Sequence, residues 1–238
     1  TSWLSTLEQA LQLRPQHLSL YALSVESGTP LAERIANKQL PAPDADIAAD
    51  MYIAAERRLK KAGYQHYELS NWAATSDNGT LLCRHNLKYW LIEPYLGFGA
   101  GAHSYFAGNR YYNVPYPADY IARIEEGLTP IAKTTVIKPD ESMAETMILG
   151  LRLIKGIRFS DFIQRHGCDL QEKYAAELAE LEQLGLLQRN KQGIHLTPRG
   201  RLLANQVFLR FWPTKNIKCH REEHGDERSL CPGANGLG

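Results

Sequence analysis

The residues best suited to chemistry lie in one polar and aromatic region, Gln65 to Ser104. Three motifs stand in it: YELSNW (Tyr67 to Trp72), RHNLKYW (Arg84 to Trp90) and LGFGAGAHS (Leu96 to Ser104). Histidines, asparagines, a glutamate, aromatic rings and alternating glycines crowd together there, and few aliphatic residues remain to form a core. This composition is typical of the wall of a binding site.

The RHNLKYW motif contains a candidate metal ligand, His85. A neutral imidazole binds transition metals, haem iron included, and neighbouring aromatic rings can stack on a macrocycle. If the segment is helical, His85 and Tyr89 share one helix face because they are four residues apart. The alternative is structural: His85 caps or hydrogen-bonds a loop, and Trp90 fills the core. Spacing alone favours the structural interpretation.

The glycines Gly97, Gly99 and Gly101 do not match the GxGxxG spacing, and no P-loop lysine and hydroxyl follow them. Glycines at every second position leave one face of a strand without side chains, so a flat ligand or another backbone can approach it. A tightly packed strand explains the pattern equally well.

Glu68 and Ser70 lie at the carboxyl end of a predicted strand, where parallel α/β folds bind their ligands. Alternation places the two side chains on one face, where they could bind a polar ligand. Capping of the next element accounts for them equally well.

The four cysteines, Cys83, Cys168, Cys219 and Cys231, form neither a disulfide framework nor a close thiolate cluster, so we expect a reducing, cytoplasmic compartment. Zinc binding by the tail residues Cys219, His220, His224 and Cys231 is the weaker interpretation, since adjacent Cys and His make awkward ligands and no strands support the site.

The composition is that of an ordinary globular protein, with 238 residues, 44% hydrophobic, 22% charged and a net charge of +1. This balance gives no global reason to expect nucleic acid or an anionic membrane as partner. No apolar run approaches the ~20 residues that span a bilayer, and no signal peptide is recognisable.

Hydrophobic periodicity predicts an α/β fold for the first half of the chain. The predicted elements are a helix at Thr1–Leu13, a strand at His17–Leu23, a helix start at Thr29-Pro30, a helix at Asp44–Ala62 and a strand at Tyr64–Leu69. Strand, helix and strand suggest a parallel crossover unit. Two strands cannot complete a parallel sheet, so we expect the chain to be the C-terminal part of a longer protein.

The second half predicts a winged-helix-like module. Helices are expected over 139–154, 160–165, 169–184 and 197–211, with a hairpin over 186–197. A linker at Lys133–Lys138 then separates domains 1–132 and 139–211, and residues 212–238 read as a disordered tail. Leu186–Phe211 is basic without acids, as expected for a DNA contact, although solvated faces explain it as well.

Together the motifs resemble the HemW family of radical SAM proteins, the coproporphyrinogen III oxidase-like haem chaperones. The resemblance covers about Thr1 to Phe211 and rests on HLSLYALSVESGTPL, YELSNW, HNLKYW, LGFGAGAHSYF and LTPRGRLLANQVF. It implies the C-terminal part of a (β/α)6-type partial barrel, followed by a small helical, winged-helix-like domain.

The HNLKYW pattern is associated with haem binding in this family, so the resemblance implies cofactor-binding roles for His85, Asn86, Tyr89 and Trp90. His85 would be the iron ligand, Tyr89 and Trp90 would pack near the porphyrin, and Asn86 would fix the loop. Ala22 resembles a position lining the S-adenosylmethionine (SAM) pocket of the related oxidases, and His103 a position beside their second SAM.

One departure from the family pattern limits the chemistry. Members hold a [4Fe–4S] cluster through a CxxxCxxC run, and no cysteines here have that spacing. Because the cluster thiolates make SAM reducible, we expect no radical chemistry from this polypeptide alone.

The resemblance implies that the intact protein binds the cluster, SAM and haem, and transfers haem to acceptor haemoproteins, which can bring it to a membrane surface. One alternative is the oxygen-independent coproporphyrinogen III oxidase reaction of porphyrin biosynthesis. The alternative from another class is a winged-helix DNA-binding protein, which leaves the first 140 residues unexplained. The sequence leaves the oligomeric state open.

Overall fold

A computed structural model describes residues 2–77 and 79–213. Its helices are α1 (Ser2–Gln12), α2 (Pro30–Ala36), α3 (Ala45–Lys61), α4 (Arg84–Trp90), α5 (Pro117–Glu125), α6 (Pro139–Gly150), α7 (Phe159–His166), α8 (Leu170–Lys173), α9 (Ala175–Gln183), α10 (Pro198–Leu202) and α11 (Ala204–Phe211). Within these described ranges, no helix is long and apolar enough to cross a membrane. The candidate zinc residues of the tail lie outside them.

The strands form three small sheets. They are β1 (His17–Ser19), β2 (Tyr64–Glu68), β3 (Asn71–Ser76), β4 (Gly79–Thr80), β5 (His103–Phe106), β6 (Asn109–Asn113), β7 (Ile131–Val136), β8 (Ile157–Arg158), β9 (Leu187–Arg189) and β10 (Gly193–Leu196). The described residues divide into two compact units: those up to 83 together with those from 151 to 213, and residues 84–150. Each unit is described by itself.

In the first unit, β3 lies between β1 and β2 and is antiparallel to both. The strands β1 and β2 are therefore parallel to each other, as predicted, but they are not neighbours. The sequence did not predict β3, which follows β2 after a turn at Leu69 and Ser70. The first strand is also shorter than predicted and ends at Ser19.

The helices α1 and α3 pack against this sheet: Leu7, Ala55 and Leu59 of the helices form a core with Tyr64 of β2 and Trp72 of β3. Only the second half of α3 is buried against the sheet: Ala55 and Leu59 are buried, whereas Ile47 and Met51 are exposed. The predicted helix starts are confirmed: the Thr29 hydroxyl accepts a hydrogen bond from Ala32 N, and an Asp44 carboxylate oxygen accepts one from Ile47 N.

The C-terminal part of this unit has the predicted order of helices, hairpin and helix, except that the last helix is divided at Leu203 into α10 and α11. The hairpin of β9 and β10 gains a third strand, β8. Gly167 ends α7 in the left-handed conformation with φ 70°, as expected for a helix C-terminus. The single helix predicted from Asp169 is broken at Tyr174 into α8 and α9.

The second unit contains the sheet β5-β6-β7 with α4, α5 and α6. The predicted linker at Lys133–Lys138 is wrong, because Lys133 to Val136 belong to β7 and pair with β6. The error has a physical cause: β7 has no buried residue, so its sequence lacks the apolar alternation of a half-buried strand.

Candidate functional site

The RHNLKYW motif folds as the helix α4, which exposes His85. The Tyr89 hydroxyl lies 3.4 Å from His85 Nε2, a long hydrogen bond, and the two rings meet at an angle of 78°. The predicted shared face of His85 and Tyr89 is therefore present. Asn86 and Trp90 are partly buried on the same short helix.

Tyr89 continues the aromatic contacts to Tyr95, with ring centroids 4.8 Å apart. Tyr95 is held by two backbone hydrogen bonds to Tyr105, which place it beside β5. Burial raises the pKa of Tyr95, so its phenol stays neutral near pH 7. The three side chains His85, Tyr89 and Tyr95 are called the aromatic chain below.

The same unit contains a charged pair, Arg110 and Glu145. Tyr105 is paired with Arg110 across β5 and β6, so side chains at these positions share one face of the sheet. Arg110 Nη1 lies 2.9 Å from an oxygen of Glu145 in α6. Burial of this carboxyl group raises the pKa of Glu145, although the charge of Arg110 opposes the rise.

His103 lies two residues before Tyr105 in β5, so its side chain is on the same face of the sheet as Tyr105 and Arg110. Its ring packs on Tyr112, with centroids 4.8 Å apart. Partial burial of the imidazole lowers the pKa of His103, and the positive charge of Arg110 lowers it further. The neutral, ligand-competent form of His103 is therefore favoured near pH 7.

The predicted glycine strand is a loop in which Gly97 differs from the other two glycines. A Cβ atom at Gly97 would lie 2.1 Å from the His103 carbonyl oxygen, so another backbone occupies the open face. Gly99 has a φ of 100° and serves a turn. Between them Phe98 is 84% exposed, which leaves an apolar ring available to a ligand beside the aromatic chain's segment.

In the first unit, Glu68 is fully buried and both of its carboxylate oxygens are occupied. Arg152 donates to one oxygen from Nη2 at 2.6 Å and from Nε at 2.8 Å. The other oxygen accepts from Ser70 N, at 3.0 Å, and from the Asn71 amide. The four residues Glu68, Ser70, Asn71 and Arg152 are called the Glu68 network below. This geometry supports the structural alternative for Glu68.

Ser70 keeps part of its surface exposed, and its carbonyl oxygen accepts a hydrogen bond from Leu20 N at 2.9 Å. This bond places Ser70 next to the segment that leads to Ala22, which is also partly exposed. Both residues keep exposed surface, whereas Glu68 is fully buried.

The sequence interpretation missed two groups of polar residues. His17 Nε2 lies 2.8 Å from the Tyr67 hydroxyl, and burial lowers the pKa of His17 while Glu68 opposes the change. His17 and Ser19 are two residues apart in β1, so their side chains lie on the same side of the strand. Ser19 donates a hydrogen bond from its hydroxyl to Asn71. The alternation of the strand could therefore have indicated His17 as a site residue. Arg152 interrupts an apolar run, a signal for a buried ion pair.

Three of the five lysines and arginines in the segment proposed as a DNA contact form ion pairs within the unit. Arg189 pairs with Glu182 at 2.7 Å, Arg210 with Glu180 at 3.0 Å and Arg201 with Glu56 at 2.7 Å. These carboxylates offset the charge of the three arginines. The geometry therefore counts against the DNA-binding alternative.

Two of the implied cofactors place different demands on the residues. Within residues 2–77 and 79–213, no group of three or more His, Cys, Asp or Glu side chains could hold a metal ion, and Cys83 and Cys168 are free thiols. These residues do not fit a [4Fe–4S] cluster, which needs several thiolates. A haem iron needs one axial imidazole, and the exposed His85 beside aromatic rings fits that demand.

Comparison with known proteins identifies a domain and relatives. The family model of the HemN C-terminal domain matches residues 137–203. The heme chaperone HemW of Bacillus subtilis (strain 168) is 34% identical over 206 residues, which are 87% of this chain and 53% of the relative. The HemW protein of Mycobacterium tuberculosis (strain H37Rv) is 37% identical over 202 residues, 85% of this chain and 49% of the relative.

A mitochondrial relative from Bos taurus, radical S-adenosyl methionine domain-containing protein 1, is 38% identical over 232 residues, 87% of this chain and 48% of the relative. A solved structure of coproporphyrinogen III oxidase (HemN) from Escherichia coli, a radical SAM enzyme, matches with a TM-score of 0.66 at 19% identity. The match covers 88% of this chain and 51% of that one, which shows the α/β fold.

The chain spans about half the length of the curated relatives it matches. The domain match, the sequence identities and the shared fold agree with one another. This chain belongs to the HemW- and HemN-like family of radical SAM proteins.

Proposed function

We propose that this chain contributes the haem site of a haem chaperone, in which the imidazole of His85 would bind the iron. The observation that carries the proposal is the exposed imidazole of His85 on α4, beside Tyr89 on the same helix face. The relatives named heme chaperone support haem as the bound molecule. Bound haem would supply an iron centre that accepts one imidazole nitrogen.

The remaining residues of the motif would shape the site. Tyr89 and Trp90 would present aromatic surface to the porphyrin, and Tyr89 would also orient the imidazole through its hydroxyl. Asn86 would fix the segment around His85. Phe98, which is largely exposed, offers additional apolar surface in the same unit.

The wider activity of the family is proposed for the intact protein. Haem would pass from the His85 site to acceptor haemoproteins, and a cluster with SAM would be bound in the same protein. Within this chain, Ala22, Ser70 and His103 are the proposed SAM contacts, since each keeps exposed surface. Glu68 is proposed to support Ser70 by accepting its backbone N–H.

A haem titration of the chain, followed by Soret absorbance, tests the proposal. Wild-type protein should bind haem saturably, and His85→Ala should abolish that binding. The matched control is His103→Ala, which removes another exposed histidine of the same unit and should leave the iron ligand in place. Full haem binding by the His85 variant would contradict the assignment.

Coproporphyrinogen III oxidase activity is the second candidate, because the fold matches HemN over 88% of this chain. An intact homologue would then decarboxylate coproporphyrinogen in the presence of SAM and a reductant. Turnover of that substrate by the homologue, without haem binding, would favour the oxidase over the chaperone.

A further inference from the structure

Arg110 carries a positive charge on the sheet face that holds the aromatic chain. Backbone pairing aligns Tyr95 with Tyr105 and Tyr105 with Arg110, so the three positions form one row across adjacent strands. Tyr95 connects Arg110 with the other two members of the aromatic chain. Its ring packs on Tyr89, and the charge of Arg110 opposes the effect of burial on the pKa of its hydroxyl.

The pairing of Arg110 with Glu145 leaves N–H donors of the guanidinium for a second carboxylate. The contact joins Nη1 to one Glu145 oxygen at 2.9 Å, whereas a guanidinium has five N–H donors. The side chain of Arg110 is 26% exposed and that of Glu145 is 8% exposed, so the arginine reaches the surface above its buried partner.

The positive charge of Arg110 also affects the pKa values of nearby groups. Burial raises the pKa of Glu145, and the charge of Arg110 opposes that rise. The same charge contributes to the lowered pKa of His103. The charge of Arg110 therefore acts on two neighbouring groups of the unit.

We propose that Arg110 binds a carboxylate of the porphyrin and orients it over the aromatic chain. The inference rests on the proposed haem site at His85 and adds the part of that site that recognises the propionate groups. A guanidinium can bind a carboxylate through two parallel N–H donors, which fixes direction as well as charge. One contact at the iron and one at a propionate would together define the rotation of the flat ligand.

The test compares haem with haem dimethyl ester, in which both propionates are esterified, on wild-type protein and Arg110→Gln. Haem should bind wild-type protein more tightly than the ester does. Arg110→Gln should weaken haem binding by roughly tenfold or more, as expected for a lost charged hydrogen bond, and should leave ester binding unchanged. The matched control is Arg123→Gln, which removes an arginine of the same unit that donates to the Thr129 carbonyl oxygen.

A second variant keeps the test decisive if Arg110→Gln does not fold. Glu145→Gln removes the competing carboxylate and keeps the side-chain shape, so haem should bind more tightly while ester binding stays the same. Equal effects on both ligands, or none on haem, in whichever variant folds would overturn the role of Arg110.

The outcomes separate this inference from the proposed function. If haem binding depends on His85, but Arg110→Gln changes the affinities for haem and for the ester equally, the proposed haem site stands and only the propionate contact is overturned. Absence of binding of either ligand by folded wild-type protein would overturn both proposals.

Discussion

The aromatic chain and the Glu68 network are built from similar residue types in neighbouring motifs, yet they differ in what remains available to a ligand. His85 is exposed on a short helix, and its contact is a long hydrogen bond to Tyr89. Glu68 is fully buried and both of its oxygens are occupied by protein donors. Polar residues in a motif are therefore ligand candidates only where the fold leaves an atom unused.

The largest expected difference between the two regions is in stability. Glu68→Gln removes the negative charge that faces the buried Arg152 guanidinium at 2.6 Å, which should lower the free energy of unfolding by about 3–5 kcal/mol. His85→Ala, at an exposed position, should change it by less than about 0.5 kcal/mol.

Chemical denaturation measures both values. Glu182→Gln is the matched control, because its pair with Arg189 is partly solvent-exposed and should be worth at most about 1 kcal/mol. A Glu68 variant as stable as that control would show that the network is not a structural support.

A smaller effect is expected from the glycine loop of the second unit. Gly97→Ala would bring a Cβ atom to 2.1 Å from the His103 carbonyl oxygen, so one backbone must move, at a cost of about 1–3 kcal/mol. Gly99→Ala meets no atom within 4 Å, and its strain comes from φ alone, about 1 kcal/mol. Thermal unfolding of both variants should rank Gly97→Ala as the less stable; the reverse order would contradict the close approach.

Acid should weaken the first unit through Glu56. His66 Nδ1, 3.5 Å away, and Arg201, at 2.7 Å, lower the pKa of Glu56 to about 2 from 4.5. A depressed carboxyl pKa gives stability that is complete above the unfolded value and lost as the pH falls from about 4.5 towards 2. Allowing for solvent screening of this partly exposed group, the loss is about 1–2 kcal/mol.

Urea denaturation between pH 5 and pH 2 follows this loss. Glu56→Gln removes the titrating group, so its stability should depend less on pH over the same range than that of the wild-type protein. Parallel pH profiles for the two proteins would show that the carboxylate of Glu56 does not contribute as described.

The smallest effect concerns Tyr89. Tyr89→Phe removes the hydroxyl 3.4 Å from His85 Nε2 and keeps the ring contact with Tyr95. Stability should change by less than about 0.5 kcal/mol, while the Soret maximum of bound haem should shift because the imidazole loses an orienting partner. An unchanged spectrum would limit Tyr89 to packing.

Local rules predicted much of the fold from the sequence. The helix α3 begins after Asp44 and ends before Ala62, within the predicted range, and α4 brings His85 and Tyr89 together at the spacing expected for a helix. The strand β3 was missed because the turn at Leu69 and Ser70 contains none of the usual turn glycines or asparagines.

Long-range pairing was the part that the sequence could not supply. Arg110 and Glu145 are far apart in the chain, and their contact depends on how α6 packs on the sheet of the second unit. The same holds for Glu68 and Arg152, which meet across 84 positions. A charged residue in an apolar run indicates a partner but does not identify it.

The most direct test of the contrast is a haem titration of His85→Ala and Glu68→Gln beside the wild-type chain, under conditions in which circular dichroism shows all three to be folded. We expect the His85 variant to lose saturable binding at wild-type stability and the Glu68 variant to bind haem with unchanged affinity despite its lower stability. Haem binding that survives in the His85 variant and is lost in the folded Glu68 variant would contradict this expectation.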